Sequence, residues 1–154
     1  MMLYLVRHAE PKPPDQDPEQ SLTAKGRSDI KRVAAFCAAH SGIAVGKIIH
    51  SGKKRASQTA QILAEHLKPA AGIEEAAGLA PLDDPSPWAE DLRITGDDTM
   101  LVGHLPFMER LAGLLLSGDE EDGTVKFSPG TVACLERDNG VSWRLSWIVT
   151  PEIV

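Results

Sequence analysis

The sequence predicts an α/β protein of three layers: a mostly parallel central sheet with one antiparallel strand, covered by helices on both faces. Short apolar runs alternate with segments of helical period, in the order β-α-β-α-β-α-β-α-β-β. The early runs stop at polar or turn residues, as buried parallel strands do. The last two runs flank Asp138-Asn139-Gly140, a hairpin signal that sets one strand against the others. A chain of 154 residues is expected to form a single domain over 1–154, with a core that needs no staples.

Residues 2–6, MLYLV, form the first predicted strand. Residues 11–21 hold four prolines and three acids, which forbid a regular element. Thr23 is a good N-cap for a helix reaching about His40, with Ile30, Val33, Ala34 and Cys37 on its apolar face and Gly42 ending it. Residues 46–50 read as a second strand. A helix follows from about Lys53 to Leu67, stopped by Pro69. Residues 73–79 read as a short strand, 81–87 as a proline-rich loop, and Trp88–Leu92 as the opening of a short helix. Thr99–Val102 is a further strand, ended by Gly103-His104. Pro106 suits the first turn of a helix that runs to Leu116. The acidic stretch 117–123 is a solvated loop. Thr131–Leu135 and Trp143–Val149 are the closing strands, with Trp143, Leu145, Trp147 and Val149 alternating onto one face.

The net charge of −6 argues against nucleic acid as a partner of the whole surface. An anionic ligand has to be drawn by a local cluster of cations. No run is long enough to span a bilayer, and residues 1–6 lack a signal peptide's basic start and cleavage site, so a cytoplasmic protein without membrane partners is expected. Cys37 and Cys134 have no CxxC spacing and read as small buried apolar residues.

Ligands in open α/β sheets bind outside the carboxyl ends of the strands. The first strand ends in Arg7-His8. The second ends in His50-Ser51, followed by Lys53, Lys54 and Arg55. The 99–102 strand ends in Gly103-His104. Each residue alone has a bland reading as a surface, capping or salt-bridging group. Their joint placement on one rim of an acidic protein points to an anion pocket.

Together RHAE at 7–10, SLTAKG at 21–26, SGKKRASQTA at 51–60 and GHLP at 103–106 resemble the histidine phosphatase superfamily, also called phosphoglycerate mutase-like. The short length, GHLPFM, and GTVACLERD with a following Trp resemble its SixA branch of phosphohistidine phosphatases. The resemblance implies the phosphoglycerate mutase-like form of the fold. It implies His8 as nucleophile, Arg7 and Arg55 as forks on the phosphoryl oxygens, and His104 as a further donor in the imidazolium form. Arg7 and Arg55 should disfavour protonation of His8. Gly103 lets the backbone approach closely, and the helix starts after Arg55's turn and after His104 offer N–H groups to an anion. No metal or other cofactor is needed. Thr23 and Gly26 read as cap and packing residues, Ser51 as a shaper of its turn, and Gln58 and Thr59 as buttresses of Arg55 or packing residues. His40, His50 and His66 read as structural or exposed.

Larger members of the family supply a carboxylate general acid. The candidates here are Asp83, Asp84 and Glu10, with Glu74 and Glu75 nearby. A weak or absent acid favours an imidazole leaving group, of parent pKa about 6.5, over an alkoxide. The leading expectation is a phosphatase of protein phosphohistidine, on a partner such as a phosphotransfer domain. The alternatives are a phosphomonoesterase of small phosphorylated molecules and a non-catalytic phosphate-binding module. A metal hydrolase is disfavoured, because His8 and His104 lack carboxylate partners at ligand spacing. A shallow pocket and a monomer are expected.

Overall fold

A computed structural model of the chain describes residues 1–40 and 42–154. Its elements follow the predicted order: β1 (Met2–Arg7), α1 (Ala24–His40), β2 (Lys47–His50), α2 (Lys54–Leu67), β3 (Ile73–Glu75), α3 (Ser86–Ile94), β4 (Thr99–Gly103), α4 (Phe107–Ser117), β5 (Val132–Arg137) and β6 (Trp143–Val149). The sheet order is β3-β2-β4-β1-β5-β6. The first four strands in that order are parallel, and β5 pairs antiparallel with both β1 and β6. The three-layer α/β/α sandwich with one reversed strand is therefore present.

Pleating sends alternate residues of β1 to opposite faces. Tyr4 and Val6 join Ile30, Val33, Ile48 and Leu63 in one core, whereas Leu3 and Leu5 join Phe107, Leu111, Leu101 and Phe127 in the other. Burial on both faces explains why β1 reads as an unbroken apolar run. Thr23 caps α1, its Oγ1 accepting from Gly26 N at 2.9 Å. Gly26 has no room for a side chain, because a Cβ there would meet the backbone of Glu10. Among the described residues no helix is long and apolar enough to cross a membrane.

Two local expectations change. The strand expected over 73–79 is only Ile73–Glu75, since Gly78 turns the chain at φ +83°. The one-face alternation of the last strand fails at a bulge. Cys134 pairs with Trp147 but Leu135 pairs with Leu145, which leaves Ser146 extra. The bulge puts Trp143 in the core under α3 and α4, while Trp147 and Val149 pack on the α1 and α2 side.

Candidate active site

The parallel pairing of β1 with β4 sets Arg7 opposite Gly103. The next residues of both strands, His8 and His104, therefore emerge side by side. His8 N donates to Gly103 O at 3.0 Å, and the two rings stand 5.0 Å apart. On the other side of β4, His50 pairs with Val102, so Ser51 arrives beside His104. Ser51 Oγ and His104 Nε2 are 2.6 Å apart. The sheet thus assembles residues far apart in sequence with one residue per strand end.

His8 is buried, and its Nδ1 lies 2.8 Å from Ala9 O. A carbonyl only accepts, so Nδ1 carries the hydrogen and Nε2 keeps its lone pair. Burial foremost, against the Ala9 hydrogen bond and with the help of Arg55 and Arg7, pushes the His8 pKa down to about 4. The ring is a neutral imidazole with a free nitrogen, the state a histidine nucleophile needs.

His104 departs from expectation. Burial, then His8, Arg55 and Lys53, push its pKa down to about 3. In the free protein it is neutral rather than imidazolium. Its Nδ1 is buried without a partner among the described residues. At Gly103 a Cβ would meet Met108 and the Leu79 carbonyl, so the protein's own core packs closely on this backbone.

Arg7 is half-buried. Its Nη1 donates to Phe127 O at 2.8 Å, and its Nε is buried without a partner among the described residues. Burial lowers its pKa while the Glu109 carboxylate favours its charge. Arg55, in the first turn of α2, also has its pKa lowered by burial. No hydrogen bond or ion pair among the described residues engages its guanidinium. Neither α2 nor α4 has a side-chain cap at its start. A groove of about 610 Å³ runs past Arg55, between Pro18–Gln20 and Gly52–Ser57. Both histidines are buried.

Thr59 is fully buried and links both halves of the site. Its Oγ1 accepts from Ala9 N at 3.0 Å and donates to Arg55 O at 2.7 Å. It buttresses the backbone beside His8 as well as the turn that carries Arg55. Gln58 instead accepts from Leu22 N, holding the base of the proline-rich loop. His50 Nδ1 accepts from Gly52 N, a structural use within the turn.

Each candidate acid already accepts a hydrogen bond. Asp83 accepts from Ala80 N at 2.8 Å, Asp84 from Ser86 N at 2.9 Å, and Glu10 from Thr23 Oγ1 at 2.6 Å. Glu74 pairs with Lys47, and the Glu75 side chain covers Gly52. The carboxylate that acts on the cluster is Glu109, which also accepts from Phe127 N at 3.4 Å. Sequence reasoning passed over it, although GHLPFME sets it in the first turn of α4. Among the described residues no group of three or more His, Cys, Asp or Glu could hold a metal ion.

The α/β/α sandwich thus carries an Arg-His pair and a Gly-His pair at the ends of adjacent parallel strands. The chain belongs to the histidine phosphatase superfamily (branch 1), whose profile matches residues 3–83. No curated protein sequence matches the chain. Its fold is similar to that of the protein histidine phosphatase SixA complexed with tungstate, with a TM-score of 0.84 and 21% identity over 98% of this chain and 97% of that one. It is also similar to Bacillus stearothermophilus YhfR, with a TM-score of 0.68 and 19% identity over 94% and 95% of the two chains. A mycobacterial glucosyl-3-phosphoglycerate phosphatase in complex with VO3 gives a TM-score of 0.70 and 14% identity over 95% and 97%. At such identities these likenesses establish the fold.

Proposed function

We propose that the protein is a metal-independent phosphatase that removes the phosphoryl group from phosphohistidine on a partner protein, through a covalent intermediate on His8. Nε2 of His8 gives its lone pair to phosphorus. The P–N bond of the substrate breaks, and the substrate imidazole, already protonated on its other ring nitrogen, leaves as a neutral ring with the bonding pair. Water then attacks the phosphoryl group on His8, the P–Nε2 bond breaks, and orthophosphate departs. Arg7 and Arg55 hold the equatorial oxygens, where the transition-state charge is spread.

The observation that carries this reading is that the charged side chains lowering the pKa values of His8 and His104 are cations, Arg55, Arg7 and Lys53, while Glu109 acts on Arg7. An alkoxide leaving group needs a proton donor at this place. An imidazole, with a parent pKa of about 6.5, does not. The SixA-like fold supports the same substrate class.

The test is a turnover comparison between a phosphohistidine protein and a panel of phosphate esters, with His8→Ala as control. Preferential turnover of the phosphohistidine, and acid-labile phosphate trapped on His8, are expected. Faster ester turnover that depends on Asp83 or Asp84 would make the protein a small-molecule phosphomonoesterase. Phosphate binding without turnover of any substrate would make it a binding module.

A further inference from the structure

We propose that Ser51 is a positioning residue that fixes the hydrogen of neutral His104 on Nδ1, so that this ring nitrogen donates to the phosphoryl group. This inference rests on the phosphoryl-transfer reading above. A serine hydroxyl has one hydrogen to give and two lone pairs to offer. Lys53 N donates to one lone pair of Ser51 Oγ at 3.4 Å. His104 Nε2 lies 2.6 Å from the same oxygen. Among the described residues the hydroxyl has no other acceptor, so its hydrogen goes to Nε2. A neutral imidazole that accepts at Nε2 carries its own hydrogen on Nδ1.

The rest of the site agrees with that tautomer. Nδ1 is buried without a partner among the described residues, beside the ring of the nucleophile. A buried N–H without an acceptor is unfavourable in the resting protein and is satisfied when a phosphoryl oxygen arrives. The opposite tautomer would turn a lone pair toward an anionic oxygen. Burial and the neighbouring cations oppose a second proton on the ring, so the donor comes from the tautomer rather than from charge. The turn that aims Ser51 is itself held in place. His50 Nδ1 accepts from Gly52 N at 3.0 Å. Gly52 has φ +84°, with the Glu75 side chain lying where a Cβ would project. The result is a relay from Lys53 N through Ser51 Oγ to His104 Nε2, with Nδ1–H as its working end.

The experiment reads the ring nitrogens of His104 by NMR in resting protein carrying isotopically labelled histidine, assigned against His104→Gln. The hydrogen is expected on Nδ1 in the native protein. In Ser51→Ala it moves wholly or partly to Nε2, and kcat on the phosphorylated substrate falls about tenfold to a hundredfold. Ser51→Thr keeps a hydroxyl and restores both readouts. Native-like spectra of the variants outside the site separate this from a failure to fold. Hydrogen on Nε2 in the native protein overturns the proposal, as does Nδ1–H that persists in Ser51→Ala. Nδ1–H in a native protein that turns over no phosphorylated substrate would uphold Ser51's role and sink the phosphatase reading instead.

Discussion

Two grooves of nearly equal volume lie at opposite ends of the sheet. The one at the carboxyl end, about 610 Å³, is flanked by Lys53, Lys54 and Arg55. The one at the amino end, about 600 Å³, is lined by small residues with Asp97 and Asp98. Size does not distinguish them, but the state of their polar atoms does. At the amino end the polar groups tie strands together. Asp98 Oδ1 accepts from Met2 N at 2.6 Å, Asp98 O accepts from Gly46 N at 2.8 Å, and Gly46 O accepts from Ala71 N at 2.8 Å. At the carboxyl end Arg7 Nε and His104 Nδ1 are buried without partners among the described residues. One end has spent its hydrogen bonds on the fold, and the other holds donors in reserve.

Substitutions at the two ends should therefore separate activity from stability. His8→Ala has the largest expected effect on turnover, on the order of 10⁴-fold or more, with an unchanged melting temperature. Arg55→Ala should cost about 10²–10³-fold in kcat, and Arg55→Lys should recover little, because an ammonium lacks the planar fork. Thr59→Val should lose activity and stability together: it leaves the buried Ala9 N–H unpaired, at a cost of about 1–3 kcal/mol. Asp98→Ala should cost a similar ~1–3 kcal/mol in denaturant unfolding while turnover stays native. A loss of turnover in Asp98→Ala with native stability would break the contrast between the two ends. Chelation with EDTA should leave turnover unchanged.

Acid should sharpen the contrast. Both histidines have folded pKa values below the ordinary 6.5, at about 4 for His8 and about 3 for His104. The unfolded chain binds these protons more readily, so the stability associated with neutral burial is full above pH 6.5. It falls as the pH drops toward the folded values. Melting temperatures measured against pH should decline less steeply on the acid side in His104→Gln than in the native protein. The pH profile of kcat/KM reports the free enzyme and should stay flat from neutrality to about pH 5 with respect to His8.

Much of this was legible in the residues. The ten elements, the reversed strand, the cap at Thr23 and the rim holding Arg7, His8, Arg55 and His104 all follow from local patterns. A strand's apolar run and its end are properties of adjacent residues, and the rule that parallel strands present their carboxyl ends together does the rest. Contacts between separate segments were not legible. Thr59 reads as a buttress of Arg55 or a packing residue, without its tie to Ala9, Ser51 reads as a turn residue without its histidine, and Glu109 is passed over, until β4 stands between β1 and β2.

The sequence by itself determined which residues could form an anion site and at which end of the sheet they had to lie. Only the tertiary structure decided that His104 is neutral, that its partner is Ser51, which hydrogen bonds the candidate acids accept, and that a bulge at Ser146 divides the last strand between two cores. The physical reason is that desolvation, tautomer and hydrogen-bond partner depend on neighbours brought in from distant parts of the chain. The apolar and helical periods depend only on residues close in sequence.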